Sequence, residues 1–163
     1  MSACGSTPEV APSASDDVSQ AAANATYHFE DQNVTLVNGT AEQPVRGSAV
    51  KAVVSLSEVQ ASGELSGHGK ADAVVLLTQA QGNLGTFSYI AVLLADASGL
   101  LTSTSTNVKL TGDRVIVKSI SIDRGTIAVE FLDYNTGESK GASPPRLAQF
   151  TKYKMVAGTI SRT

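Results

Sequence analysis

A chain of 163 residues that is 42% hydrophobic holds enough apolar material for one packed domain plus a tail. Its net charge of -3 supplies no basic stripe to neutralise phosphates, so nucleic acid is excluded as an expected partner. No apolar run approaches the roughly 20 residues of a membrane-spanning helix, the longest being Ile90 to Ala95.

The single cysteine, Cys4, stands behind Ser2 and Ala3 in the opening stretch MSACGSTPEVAPSASDD. A lone cysteine forms no internal disulfide, and a Pro/Ser-rich segment cannot bury it. The three residues resemble the end of a bacterial lipoprotein signal, where small side chains precede a cysteine acylated on sulfur, with Met1 standing in for a removed signal peptide. Cys4 is then the lipidation site, and the anchored membrane is the first expected partner. Residues 1–25 form a flexible tether and 26–163 a single β-rich domain. Gly5 lacks the aspartate that such lipoproteins use for inner-membrane retention, so the resemblance implies the outer membrane, facing the periplasm. Two alternatives stand beside this reading: a cytosolic protein with an incidental terminal cysteine, and a short helix from Asp16 to Ala25 capped by Ser15.

From Tyr27 onward, short apolar stretches separated by glycine and asparagine predict strands. Asn33 to Val37 is followed by Asn38-Gly39, the dipeptide of a type I′ hairpin turn, and by a return strand over Thr40 to Val45. Ala49 to Leu56 places Val50, Ala52, Val54 and Leu56 on one face, with Glu58 to Leu65 as a separate next strand. Ala71 to Thr78 and Tyr89 to Ala95 are apolar on both faces, which predicts central strands covered on both sides and paired as an antiparallel hairpin. Arg114 to Ile122 and Thr126 to Leu132 flank Asp123-Arg124-Gly125, read as a three-residue loop, and Ile127, Val129 and Phe131 should face the core together. Asn107 to Leu110 and Phe150 to Val156 add strands, and Asn135 to Pro145 is a polar loop. The fold class expected is mainly β: an antiparallel sheet curled into a sandwich or incomplete barrel, with at most one or two short helices.

Three kinds of site follow from residue types. In Gly63 to Asp72 (GELSGHGKAD), Glu64, Ser66, His68 and Asp72 alternate with glycines as ligands do in a calcium loop. The set is degenerate: His68 stands where an acid belongs and Lys70 adds a repelling charge, so neither metal nor cofactor is expected. Only His28 and His68 could act as bases at neutral pH, and neither lies in a nucleophile elbow, zinc helix or phosphate loop, which turns the reading away from an enzyme. Tyr27, Tyr89, Tyr134, Tyr153, Phe87 and Phe131 supply rings for a binding surface or for the core, the core being the favoured use. The sequons at Asn24, Asn33 and Asn38 would matter only in a eukaryotic secreted protein.

The strings ATYHFEDQNVTLVNG, GELSGHGKADAVVLLTQAQGNLGTFSYIAVLL and LTGDRVIVKSISIDRGTIAVEFLDY resemble a family of uncharacterised bacterial exported proteins and lipoproteins, over Ala25 to about Tyr153. Members similar to this chain carry a GDLNGDG-like loop, from which Glu64, Ser66 and His68 depart. The resemblance implies an envelope location and adds little about chemistry, since its motifs carry no catalytic signature. The expected function is a non-enzymatic envelope lipoprotein that binds or scaffolds something at the membrane surface, including an envelope protein. The alternative is an enzyme or small-molecule binder whose site is assembled from separated loops.

Overall fold

The computed structural model describes residues 14–29, 32–102, 108–140 and 142–163. A helix, α1 (Ala14–Ala23), precedes β1 (Thr26–Phe29), β2 (Gln32–Thr35), β3 (Thr40–Pro44) and the long β4 (Lys51–Gly63). Then come β5 (Asp72–Ala80), β6 (Thr86–Ala95), β7 (Leu101–Thr102), β8 (Lys109–Asp113), β9 (Ile116–Asp123), β10 (Thr126–Asp133), β11 (Leu147–Val156) and β12 (Thr159–Arg162). They form three antiparallel sheets: the β1-β2 ribbon, a central sheet β3-β4-β5-β6 with β7 and β8 both beside β6, and a second sheet β12-β11-β10-β9. The class is therefore mainly β, sandwich-like and without barrel closure.

The layering follows from the unbroken apolar runs. In β5, Ala73, Val75 and Leu77 point into a core shared with α1 and the β1-β2 ribbon, whereas Val74 and Leu76 point into a second core shared with the β9–β12 sheet. In β6, Ala91 and Leu93 divide from Ile90 and Val92 in the same way. Each large side chain so buried contributes about 1.5–3 kcal/mol. Ile127, Val129 and Phe131 of β10 all face the second core, as their alternation requires.

Several local expectations change. Residues 14–25 are not free tether: α1 spans Ala14–Ala23, Val18 and Ala22 are buried against the central sheet, and the Tyr27 hydroxyl donates to the Ala22 carbonyl at 2.8 Å. Packed structure is thus present before residue 26, and Ser15 lies inside the helix rather than capping it. The two strands predicted over Ala49–Leu56 and Glu58–Leu65 are one, β4, because the break between them is a bulge: Leu56 pairs with Leu77 and Gln60 with Val75. Val50 stands before that strand and is exposed. Asn38 and Gly39 take the φ values of 51° and 86° that a I′ turn needs, but the flanking strands part, β2 pairing with β1 and β3 with β4. Asp123 pairs directly with Thr126, so the next turn has two residues, Arg124 and Gly125, both at positive φ. The sequence reading missed β1, β7 and β12; Ala157 and Gly158, again at positive φ, make the turn into β12.

Candidate functional site

The glycine-rich loop after β4 is built around Asp72, which is fully buried at the start of β5. Its Oδ2 accepts from the backbone N–H groups of Leu65 (2.8 Å) and Ser66 (3.0 Å) and from the Ser66 hydroxyl (3.0 Å), and its Oδ1 accepts from the Ala95 N–H (2.9 Å). Glu64 accepts from the Gly69 N–H at 2.8 Å. These donors occupy the lone pairs that a hard cation would use, so the carboxylate clamps its own loop to the end of β6. Among the described residues, no group of three or more His, Cys, Asp or Glu is placed to hold a metal.

The same loop holds the side-chain types of a hydrolytic triad in an order that prevents the chemistry. Ser66 gives its only hydroxyl proton to Asp72, so the 3.0 Å contact between His68 Nδ1 and Ser66 Oγ has the imidazole N–H as donor. Nucleophile activation needs the opposite arrangement, with the imidazole accepting the hydroxyl proton and the carboxylate behind the imidazole. His28, the other candidate base, sits on β1 with its Nδ1 2.5 Å from Asn33 Oδ1. The structure does not bring the two histidines into a shared site.

A cleft of about 480 Å³ opens instead at the end of the central sheet, lined by Phe29, Gln32, Gln43, Pro44, Gln79, Gln81, Tyr89, Val108 and Lys109 among others. The pairings Gln43↔Ala52, Val54↔Gln79 and Leu77↔Tyr89 put Gln43, Gln79 and Tyr89 on the face that carries the helix-side core. The cleft lies where that core gives way to amides. Gln79 is only 5% exposed; its Oε1 accepts from Gln81 Nε2 at 2.7 Å and from the Tyr89 hydroxyl at 3.2 Å. Gln43 is 6% exposed and its Oε1 has no hydrogen-bond donor. An acceptor so placed costs about 1–3 kcal/mol until something donates to it. Phe29 meets Tyr89 edge to face, with ring centroids 5.1 Å apart, and steadies the aromatic wall. Arg46 and Lys109 are exposed at the rim.

Of the aromatics singled out from sequence, Tyr27, Tyr153 and Phe131 are core residues and Tyr89 reaches the cleft. Phe150, which sequence reasoning did not single out, is 67% exposed on the outer face of the second sheet, in the row Ser119–Glu130–Phe150. Sequence reasoning also missed every glutamine of the cleft. The available signal was phase: Gln79 follows Ala73, Val75 and Leu77 on the inward side of β5, a polar side chain in a core position. Cys4 lies outside the described residues. No family model matches the chain, and neither a curated protein nor a solved structure matches it.

Proposed function

We propose that this chain is a non-enzymatic binding module of the bacterial cell envelope. In this reading Cys4 carries the lipid that holds it at the membrane surface, on the outer membrane facing the periplasm. The folded domain takes a small polar ligand in the glutamine-lined cleft. The observation that carries the binding part is the lining itself: buried amides with unspent hydrogen-bonding capacity, and no carboxylate, imidazole or thiol among the described residues that form it. Such a site can hold and orient a molecule, whereas acid-base or nucleophilic catalysis most often draws on the carboxylate, imidazole or thiol that its described wall lacks. The reading joins the membrane-surface module to a small-molecule site assembled from separate segments, here β1, β2, β3, β5, β6, β8 and β12.

Amide NMR spectra of the folded domain, recorded with and without a small-molecule extract of envelope material, test the site. Perturbations centred on Gln79, Gln81 and Tyr89 are expected; shifts confined to the surroundings of Phe150 would move the function to a protein-docking face. Metabolic labelling with an acyl probe tests the anchor: the wild-type precursor should take the label and Cys4→Ser should not. An unlabelled wild type, in a host that processes other lipoproteins, removes the envelope assignment.

A further inference from the structure

Resting on the reading of the cleft as a binding site, we infer that its ligand is a neutral, hydroxyl-rich carbohydrate rather than an anion or a peptide. The polar lining consists of four primary amides, Gln32, Gln43, Gln79 and Gln81, and the hydroxyls of Tyr89 and Thr159, with the two cations Arg46 and Lys109 exposed to water at the rim rather than buried among the amides. A primary amide offers donors and an acceptor side by side, which matches a sugar hydroxyl that gives one proton and accepts others. The internal hydrogen bonds sort these groups. With its oxygen taken by Gln81 and Tyr89, Gln79 has only its Nε2 donors to offer, and Gln81 keeps its Oε1.

Gln43 decides between ligand classes. Its Oε1 lacks a donor, and the soft terminal torsion of glutamine lets the carboxamide turn toward the cleft it lines. A sulfate or carboxylate ionised at neutral pH has no proton to give this oxygen, whereas a sugar hydroxyl has; a phosphate retains a proton there, and the titration with inorganic phosphate separates it from a sugar. The peptide alternative is disfavoured by β3, the edge strand beside the cleft: Pro44, at the end of that strand and in the cleft wall, has no N–H for an added strand. The partly exposed Tyr89 ring, fixed by Phe29, gives the C–H face of a sugar ring an apolar wall. A volume of about 480 Å³ falls within the range of about 300–1,000 Å³ typical of small-molecule sites.

The test is a calorimetric and NMR titration of the whole folded chain with neutral oligosaccharides (chito-, malto- and cello-oligomers), their monosaccharides, inorganic phosphate, glutamate and a mixed peptide pool. Saturable binding of a neutral sugar is expected, weakened about tenfold by Gln79→Leu and by Tyr89→Phe, each of which removes hydrogen-bonding groups from one wall. Tyr89→Phe keeps the ring, so its retained amide spectrum guards against misfolding as the cause. Preference for an oligomer over its monomer identifies a glycan chain as the source, and equal affinity a free sugar. Saturable binding of phosphate, glutamate or peptide at Gln79 and Tyr89, with no sugar response, overturns the carbohydrate assignment and leaves the cleft as a binding site. No cleft response to any probe or to the envelope extract overturns both.

Discussion

Asp72→Ala is the most direct test of how the glycine-rich loop is held. The substitution removes the acceptor of three backbone N–H groups, those of Leu65, Ser66 and Ala95, and of the Ser66 hydroxyl. An unsatisfied buried donor costs about 1–3 kcal/mol. Leu65, Ser66 and Ala95 are half-buried, so water can reach part of the vacated site and the lower end of that range applies. About 1 kcal/mol for each of three amides, plus a fraction for the hydroxyl, gives a loss of about 3–4 kcal/mol from a total stability of about 5–15. For a chain of this size that is a fall in Tm of about 6–16 °C. Urea and thermal unfolding measure the loss, and amide exchange should accelerate at Leu65, Ser66 and Ala95 before it does so elsewhere. Glu64→Ala is the control: its carboxylate accepts from the exposed Gly69 amide, and surface changes of that kind stay within about 0.5 kcal/mol. A loss below about 1 kcal/mol for Asp72→Ala, or an equal loss for Glu64→Ala, refutes the view that Asp72 clamps the loop.

Millimolar calcium should leave the thermal midpoint unchanged, since Asp72 is already saturated by N–H and O–H donors; a rise that disappears in Asp72→Ala would restore the calcium-loop reading. Leu76→Asp should unfold the domain, because it sets an unpaired charge in the second core at a cost of several kcal/mol, and a cooperative native-like melt would contradict that placement. Burial raises the Tyr27 phenol above its ordinary value of about 10, so the stability it contributes is complete below pH 10 and is lost as pH rises beyond it. Tyr27→Phe should cost about 1 kcal/mol at neutral pH by losing the bond to Ala22 and should shift the alkaline unfolding midpoint upward; an unmoved midpoint refutes the assignment. The Ser98 hydroxyl, with the backbone amides of Leu100, Ser98 and Gly99, holds the Asp96 carboxyl below the usual range. Its stabilising effect is therefore present above that range and lost as pH falls through the depressed value; a carboxyl NMR titration at or above the ordinary midpoint would show the turn is not formed.

The central strands were legible because burial on both faces leaves a mark that needs no partner: β5 and β6 read as apolar runs whatever lies beside them. The Asn38-Gly39 turn was legible for a local reason, the rarity of positive φ at residues other than glycine and asparagine, whereas Gly125 marked the next turn but the positive φ of Arg124, which made it a two-residue turn, left no mark. What failed was anything set by neighbours. The bulge at Leu56–Gln60 keeps β4 continuous although the sequence reads as a break at Ser57. Helix α1 was legible only as the alternative over Asp16 to Ala25; it is short and mostly alanine, serine, glutamine and aspartate, and its order comes from Val18 and Ala22 meeting the sheet, a contact invisible in its own composition.

The amide cluster was hidden for a third reason. Glutamine carries no titratable group and belongs to no short catalytic motif, so Gln32, Gln43, Gln79 and Gln81 give no chemical signal one at a time. Antiparallel register converts their spacing into proximity: β3 pairs with β4 and β4 with β5, which places Gln43 and Gln79 two strands apart on one face, and β6 returns Tyr89 to the same end. The inward glutamine of β5 is the residue that reasoning from sequence can recover in other β proteins. Three apolar side chains in phase followed by a buried amide mark the place where a core stops being filled by the chain itself, and an amide there is stabilised only by a hydrogen-bonding neighbour. Gln79 has found two such neighbours within the fold, whereas the Gln43 oxygen has found none, and that asymmetry points the cleft toward a donor from outside.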